Sequence, residues 1–180
     1  MNDFILRIIE MFIAFFLANI AARRVNNYYD NREKNKLMKN RHDKQMAYKI
    51  IDLIDRKTIK HILNRIGSGD LYDEDIKKLD GVYFLGNNDE FYDDKVQVKF
   101  KTFKNNVGKL NDFTAREFSS SEEKGHYKIH KYRKVTKGHE MYQKNLKELQ
   151  SILDDVEESF YDLNDIIRDK YPSIFLEEQN

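Results

Sequence analysis

The sequence predicts an all-α protein with an N-terminal membrane-spanning helix, a basic helical stalk and a helical bundle. Three observations predict this class. Residues 4–22 are almost all apolar, charged residues make up 35% of the chain, and Pro172 is its one proline. Long solvated helices accommodate many charges, whereas sandwiches and barrels use proline and glycine in their turns. With 180 residues, the chain has room for one domain and an appendage.

The overall charge is balanced, with 32 Lys+Arg residues against 31 Asp+Glu residues. A basic field over the whole protein, as many nucleic-acid-binding proteins have, is therefore absent. The chain contains no cysteine, which excludes disulfides and thiolate metal sites.

The first predicted domain, residues 1–22, is the apolar helix FILRIIEMFIAFFLANIAA. A bilayer core needs about 20 helical residues, and this segment has nearly that length. A cleaved signal peptide fits less well, because a basic cluster and an A-x-A site are missing and Glu10 interrupts the apolar run. An amphipathic helix lying in the interface stays open, since Arg7 and Glu10 would allow it. The spanning helix is the favoured interpretation.

The second predicted domain, residues 23–42, is a basic stalk. It contains seven basic residues and two acidic ones, Asp30 and Glu33; the basic residues are Arg23, Arg24, Arg32, Lys34, Lys36, Lys39 and Arg41. Cytoplasmic flanks of membrane helices are rich in lysine and arginine. The sequence therefore predicts a single-pass membrane protein whose C-terminal domain faces the cytoplasm.

Small and charged residues share one side of the predicted membrane helix: Arg7, Glu10, Ala14, Ala18 and Ala21. Small residues let membrane helices approach closely, and charges at depth usually face a bundle interior or water. This face predicts a homo-oligomer and, in a ring of copies, the lining of a pore. Alternatively, both charges lie near enough to the helix end to reach water by snorkelling.

The third predicted domain, residues 43–180, is a bundle of about four helices. Helical spacing predicts a helix over 43–66, with His61 on its apolar face, and a short helix over 70–79. A loop over 81–94, a helix over 95–118 and a break at residues 119–121 follow. In the final helix, steps of four and three residues separate Tyr142, Leu146, Leu149, Leu153, Val156, Phe160, Leu163 and Ile167. This period is typical of coiled-coil-like packing, and the helix should end before Pro172.

Cofactor motifs such as a Walker loop or a Rossmann glycine fingerprint are absent, so no cofactor is predicted. His126 and His130 are four residues apart in the basic tract Lys124–His139, which contains no carboxylate to complete a metal site. The sequence therefore predicts no metal site.

Two stretches place an arginine a few residues before a histidine: Arg56 and His61 in RKTIKH, and Arg133 and His139 in RKVTKGH. This spacing resembles the Arg-x(4–6)-His signature of HEPN ribonucleases. Histidine can move the proton of a ribose 2′-hydroxyl, and arginine can hold the scissile phosphate.

The positions of the two pairs differ. Arg56 and His61 lie within one predicted helix, where His61 is expected to be buried and structural. Arg133 and His139 flank the start of the final helix, where phosphate binding is favoured. Lys134 departs from the polar Asn, Asp or His that often follows this arginine in active HEPN domains. The sequence therefore leans away from an enzyme, with a ribonuclease as the alternative.

The whole layout, with the apolar segment, the stalk and the bundle containing RKVTKGH and RKTIKH, resembles the small membrane-anchored accessory proteins of type VI-B CRISPR–Cas systems. The resemblance implies an antiviral role, in which oligomers act as membrane pores and strengthen interference by an RNA-guided, RNA-cutting effector. It implies a functional link to that effector, with RNA as a further partner of the HEPN-like domain. It also implies that the degraded HEPN motif is mostly structural.

Overall fold

The computed structural model describes the backbone of residues 2–85, 90–129 and 136–176, and the side chains of residues 15, 19–85, 90–129 and 140–175. The helices in these ranges are α1 (Asn2–Leu53), α2 (Arg56–Gly67), α3 (Asp73–Phe84), α4 (Asp94–Glu117), α5 (Thr136–Lys170) and α6 (Ser173–Leu176). The strands are β1 (Asp70–Tyr72), β2 (Phe118–Ser120) and β3 (His126–Ile129). Because helices dominate, the all-α class is confirmed in outline.

The chain divides into two compact units, Met1–Arg41 and His42–Asn180. In the first unit, α1 is exposed at Phe15 and throughout residues 19–41. Over the described residues, no helix has a stretch long and apolar enough to cross a lipid bilayer. Most of the predicted spanning segment, residues 4–22, lies outside the residues whose side chains are described.

The predicted helix over 43–66 is two helices, because the chain turns at Ile54 and Asp55. The Asp55 backbone is extended, and its carboxylate accepts a hydrogen bond from Thr58 N at 2.6 Å, which caps the start of α2. The turn changes which residues face the core, so α2 buries Ile59, Ile62, Leu63 and Ile66. His61 is exposed, and the prediction that it is buried is wrong.

A small antiparallel sheet is the feature that the all-α prediction missed. Its strand order is β1-β3-β2, with Leu71 opposite Tyr127 and Ser119 opposite Lys128. Each strand has only three or four residues, which is too short for a clear two-residue alternation. The break predicted at residues 119–121 is therefore partly strand, and β3 follows it at His126–Ile129.

Helix α3 differs from its prediction at both ends. It begins at Asp73, because residues 70–72 form β1, and it continues to Phe84 into the predicted loop. The acidic residues Asp73, Glu74 and Asp75 occupy its first turn, where the helix dipole favours negative charge.

The predictions for the two longest bundle helices are confirmed. Helix α4 spans 94–117, and the final helix α5 ends at Lys170, before Pro172. Six of the eight predicted α5 core residues are buried, namely Leu149, Leu153, Val156, Phe160, Leu163 and Ile167. Phe103 of α4 and Phe160 of α5 pack with ring centroids 5.5 Å apart. These two helices therefore contribute a large share of the core of the second unit, to which the end of α1 and helix α2 also contribute.

Asp43 is a buried carboxylate that connects three parts of the second unit. Its oxygens accept hydrogen bonds from Tyr92 N at 2.8 Å, Asp93 N at 2.9 Å and the Tyr171 hydroxyl at 3.1 Å. Burial, reinforced by the Asp43 charge, raises the pKa of the Tyr171 hydroxyl well above its ordinary value. Tyr171 therefore stays protonated and donates to Asp43 over the whole physiological pH range.

Candidate functional site

Three side chains form a stack beside the sheet, which we call the Tyr72 stack. The Arg65 guanidinium lies over the Tyr72 ring, 4.9 Å from its centroid. The His126 ring also stacks on the Tyr72 ring: the two ring centroids are 4.5 Å apart, and the angle between the ring planes is 3°. The last turn of α2, the end of β1 and the start of β3 place these three residues. The stack therefore contains an arginine and a histidine that no sequence motif connects.

Two carboxylates face the His126 ring. Asp70 Oδ1 lies 2.9 Å from Nε2, and Glu123 Oε2 lies 3.4 Å from Nδ1. The His126 side chain is only 8% exposed. Because each ring nitrogen already faces a carboxylate, neither is available to a substrate. His126 thus joins β1 to the β2–β3 connection and is poorly suited to act as a general base.

Carboxylates also surround Arg65. It pairs with Glu74 at 2.9 Å and with the buried carboxylate of Asp75. Burial lowers the pKa of Arg65, but hydrogen bonds and charges from Glu74 and Asp75 outweigh this effect and raise it overall. Burial raises the pKa of the Asp75 carboxyl, and Arg65 opposes that shift only in part. The two terminal nitrogens of the guanidinium are therefore occupied by α3, whereas its buried Nε has no hydrogen-bond partner among the described residues.

A cavity of about 380 Å³ lies against the sheet at Leu71 and Tyr127, and no residue of the Tyr72 stack lines it; its lining residues are Leu71, Ile76, Leu79, Asp80, Asn111, Thr114, Ala115, Phe118 and Tyr127. The polar groups of its wall bond within the protein. Asn111 Nδ2 donates to Asp80 Oδ1 at 3.0 Å, and the Tyr127 hydroxyl donates to Asp73 Oδ1 at 3.0 Å. The cavity therefore offers mainly apolar contact and has no group arranged for catalysis.

The predicted pair Arg56 and His61 has two separate environments. Arg56 Nε donates to Asn164 Oδ1 at 3.1 Å, its guanidinium pairs with Asp165, and both partners belong to α5. His61 is exposed on α2, and its charge adds to a lowering of the Glu74 pKa that comes first from the hydrogen bond and charge of Arg65. Arg56 is therefore a link between α2 and α5, and the structure does not bring the two residues together as a catalytic pair.

Most of the other predicted site residues lie outside the described side chains. Arg133 is outside the described residues altogether, and His139 is described only as part of the α5 backbone. Of the predicted oligomer face, Arg7, Glu10, Ala14 and Ala18 are described only as backbone, whereas Ala21 has a described and exposed side chain. The roles of these residues remain predictions.

A second candidate site is a surface groove on α1, which we call the basic face; its lining residues are Tyr28, Asn31, Arg32, Asn35, Lys36 and Lys39. All six side chains are exposed. Two amides, a phenol and three cations offer hydrogen-bond donors and positive charge, the chemistry that recognises anions. Across the described ranges, the structure contains no group of three or more His, Cys, Asp or Glu residues that could hold a metal ion.

Comparison with known proteins gives no further assignment. No protein-family model, curated protein or solved structure matches this chain.

Proposed function

We propose that this chain is a membrane-anchored, CRISPR-associated accessory protein of antiviral defence. In this proposal, α1 crosses the inner membrane once, and the second unit faces the cytoplasm. Several copies assemble through α1, form a pore and enhance RNA-guided interference against phage.

The observation that carries the proposal is the exposure of α1. Each residue from Asn19 to Arg41 is exposed, including large apolar side chains such as Tyr29, Leu37 and Met38 at 61%, 62% and 62%. A lone helix in water gains little stability from its own hydrogen bonds, and most helices in proteins depend on packing. Neighbouring copies of α1, together with a membrane that holds them parallel, would supply that packing.

Two sequence features support the membrane location and the orientation. Residues 4–22 have the length and composition of a spanning helix. The segment that follows has seven basic residues against two acidic ones, as expected on the cytoplasmic side. The antiviral role itself rests on the resemblance of the whole layout to the type VI-B accessory proteins.

The first test is the size of the assembly in detergent. Leucine at Ala14 and Ala18 keeps the segment apolar, so that insertion continues, but prevents close approach of helices through small residues. We expect the unchanged chain to pellet with membranes and to run as one multi-subunit species. A14L/A18L should still pellet with membranes but run as smaller species.

The matched control is Phe16→Leu, an apolar exchange on the opposite side of the same helical turns, which should leave the assembly unchanged. A monodisperse monomer of the unchanged chain, or an unchanged chain that stays in the aqueous fraction, would contradict the proposal. Coexpression of the unchanged chain with an RNA-guided effector should lower phage plaque numbers below those obtained with the effector alone. The A14L/A18L variant should lose this effect.

A membrane-tethered HEPN ribonuclease is the second candidate. The start of α5 at Thr136 favours it, because His139 then belongs to the first helical turn, near the backbone N–H groups that attract phosphate. Arg133 would hold the scissile phosphate and His139 would move the proton.

For this candidate we expect the purified chain to cleave single-stranded RNA. His139→Ala should lower the cleavage rate by about 100-fold or more, the usual contribution of acid–base catalysis. His61→Ala, which changes an exposed histidine, is the control and should cleave normally. A chain that does not cut RNA would exclude the ribonuclease without affecting the pore.

A further inference from the structure

The three cations of the basic face lie close together around the helix axis. At 3.6 residues per turn, Arg32, Lys36 and Lys39 fall within a sector of about 60°. All three side chains are exposed. The acidic residues of the same segment lie elsewhere: Asp30 is about 160° and Glu33 about 100° around the helix from Arg32. The charged residues of the basic face are therefore all cations.

This face continues the predicted oligomer face along the same helix. Steps of four and three residues lead from Ala14 through positions 18, 21, 25, 28, 32 and 35 to Lys39. Helix α1 runs without a break from Asn2 to Leu53, so these positions stay on one side of it. If the Ala14 end of this face points towards the central axis of a ring of copies within the membrane, the Lys39 end points towards the same axis outside the membrane.

The distance from the bilayer makes lipid phosphates poor partners for these cations. With a rise of 1.5 Å per residue, Arg32 lies about 15 Å and Lys39 about 26 Å beyond Ala22. Electrostatic attraction in physiological salt is screened over about 8 Å. If the membrane ends near Ala22, the three cations stand in water, beyond the reach of the headgroups.

Like charges also determine how copies can approach. Cations facing each other at close range repel, so a tight bundle along the basic face is unfavourable. A ring of copies with a water-filled centre keeps the cations solvated. Rings of lysine and arginine side chains concentrate anions and repel cations in channels.

We infer that the basic face forms the wall of an anion-attracting entrance, shared by several copies of α1, on the cytoplasmic side of the pore. This inference rests on the proposed pore function and adds its selectivity. Arg32, Lys36 and Lys39 supply the positive potential. Small anions such as chloride are therefore the preferred permeant ions.

The test uses the intact chain in planar bilayers of neutral lipid, with unequal KCl concentrations on the two sides. We expect a reversal potential displaced towards the chloride equilibrium potential. The charge-reversed variant R32E/K36E/K39E should move it towards the potassium equilibrium potential. Raising the salt on both sides should weaken the chloride preference, because screening becomes shorter.

Helix α1 offers a matched control on its opposite side. Arg23, Lys34 and Arg41 fall within about 20° of one another and roughly 180° from Arg32. The variant R23E/K34E/R41E changes the net charge by the same amount and should keep the chloride preference.

The possible results separate this inference from the function on which it rests. Absence of conductance overturns the proposed pore and this inference with it. Conductance that prefers potassium, or equal shifts in both charge-reversed variants, overturns the selectivity alone. If R32E/K36E/K39E does not assemble, the reversal potential of the neutral variant R32Q/K36Q/K39Q is measured instead. This variant should lose most of the chloride preference.

Discussion

At the scale of single residues, carboxylates hold the second unit together. Asp93 caps α4 by accepting hydrogen bonds from Lys95 N at 3.1 Å and Val96 N at 3.2 Å. The same side chain accepts a hydrogen bond from Lys170 Nζ at 2.7 Å, which joins the start of α4 to the end of α5. The hydrogen bond from Lys170, together with those of the cap, lowers the pKa of Asp93 below its ordinary 3.8.

The lowered pKa of Asp93 predicts a pH-dependent contribution to stability. Because the folded state holds the proton less tightly than the unfolded state, the stabilisation is present above the ordinary pKa and is lost as the pH falls through the folded value. We expect Asp93→Ala to lower the free energy of unfolding by about 1 kcal/mol at pH 7. The difference from the unchanged chain should shrink in acid, as urea unfolding followed by circular dichroism would measure.

The neighbouring Asp94 supplies the control. Its side chain is exposed and belongs to the first turn of α4. Asp94→Ala should lower the free energy of unfolding at pH 7 clearly less than Asp93→Ala does. An effect of Asp93→Ala that stays constant from neutral pH to about pH 3 would contradict the role of the Asp93 charge.

At the scale of elements, the connection between β2 and β3 depends on one glycine. Gly125 has φ +76°, a conformation that residues with a side chain rarely adopt. A Cβ atom there would also lie 2.8 Å from Asp73 Oδ2. Gly125 O accepts a hydrogen bond from Asp73 N at 2.9 Å, so the turn is held against the start of α3.

We therefore expect Gly125→Ala to destabilise the second unit by roughly 1–2 kcal/mol, the usual cost of the left-handed conformation. Gly67→Ala is the control, because Gly67 is helical and its nearest neighbour, Leu153 Cδ1, would lie at an ordinary 3.4 Å. That exchange should be neutral or stabilise by up to about 1 kcal/mol. Equal losses in the two variants would show that the turn conformation is not the cause.

The elements also show what sequence patterns can predict. Helix α5 was predictable because its apolar period repeats over many turns and depends only on neighbouring residues. The turn at Asp55 was missed, because one continuous stripe was extended from Ile50 and Ile54 to His61. The buried positions instead change phase at the turn and resume at Ile59, and Asp55 caps the new helix. The sheet was not predictable either, because Asp70 in β1 pairs with Lys128 in β3, far along the chain, and neither strand has a pattern of its own.

At the scale of the whole molecule, the predicted order of apolar segment, basic stalk and bundle follows from stretches that are each contiguous in sequence. The residues of the candidate sites, by contrast, are not contiguous in sequence. The Tyr72 stack joins residues 65, 72 and 126, and no spacing rule connects them. The basic face was visible as a charged run, but its one-sided arrangement became apparent only on an unbroken helix. Local sequence therefore predicted the layout, whereas the sites required the fold.

The bonds around Asp43 have a consequence for the way the protein is made. Asp43 is near the start of the second unit, and the hydroxyl that completes its partners comes from Tyr171, 128 residues later. During translation, this carboxylate lacks that donor until Tyr171 has also left the ribosome. Helix α1 therefore emerges long before the second unit can close around Asp43.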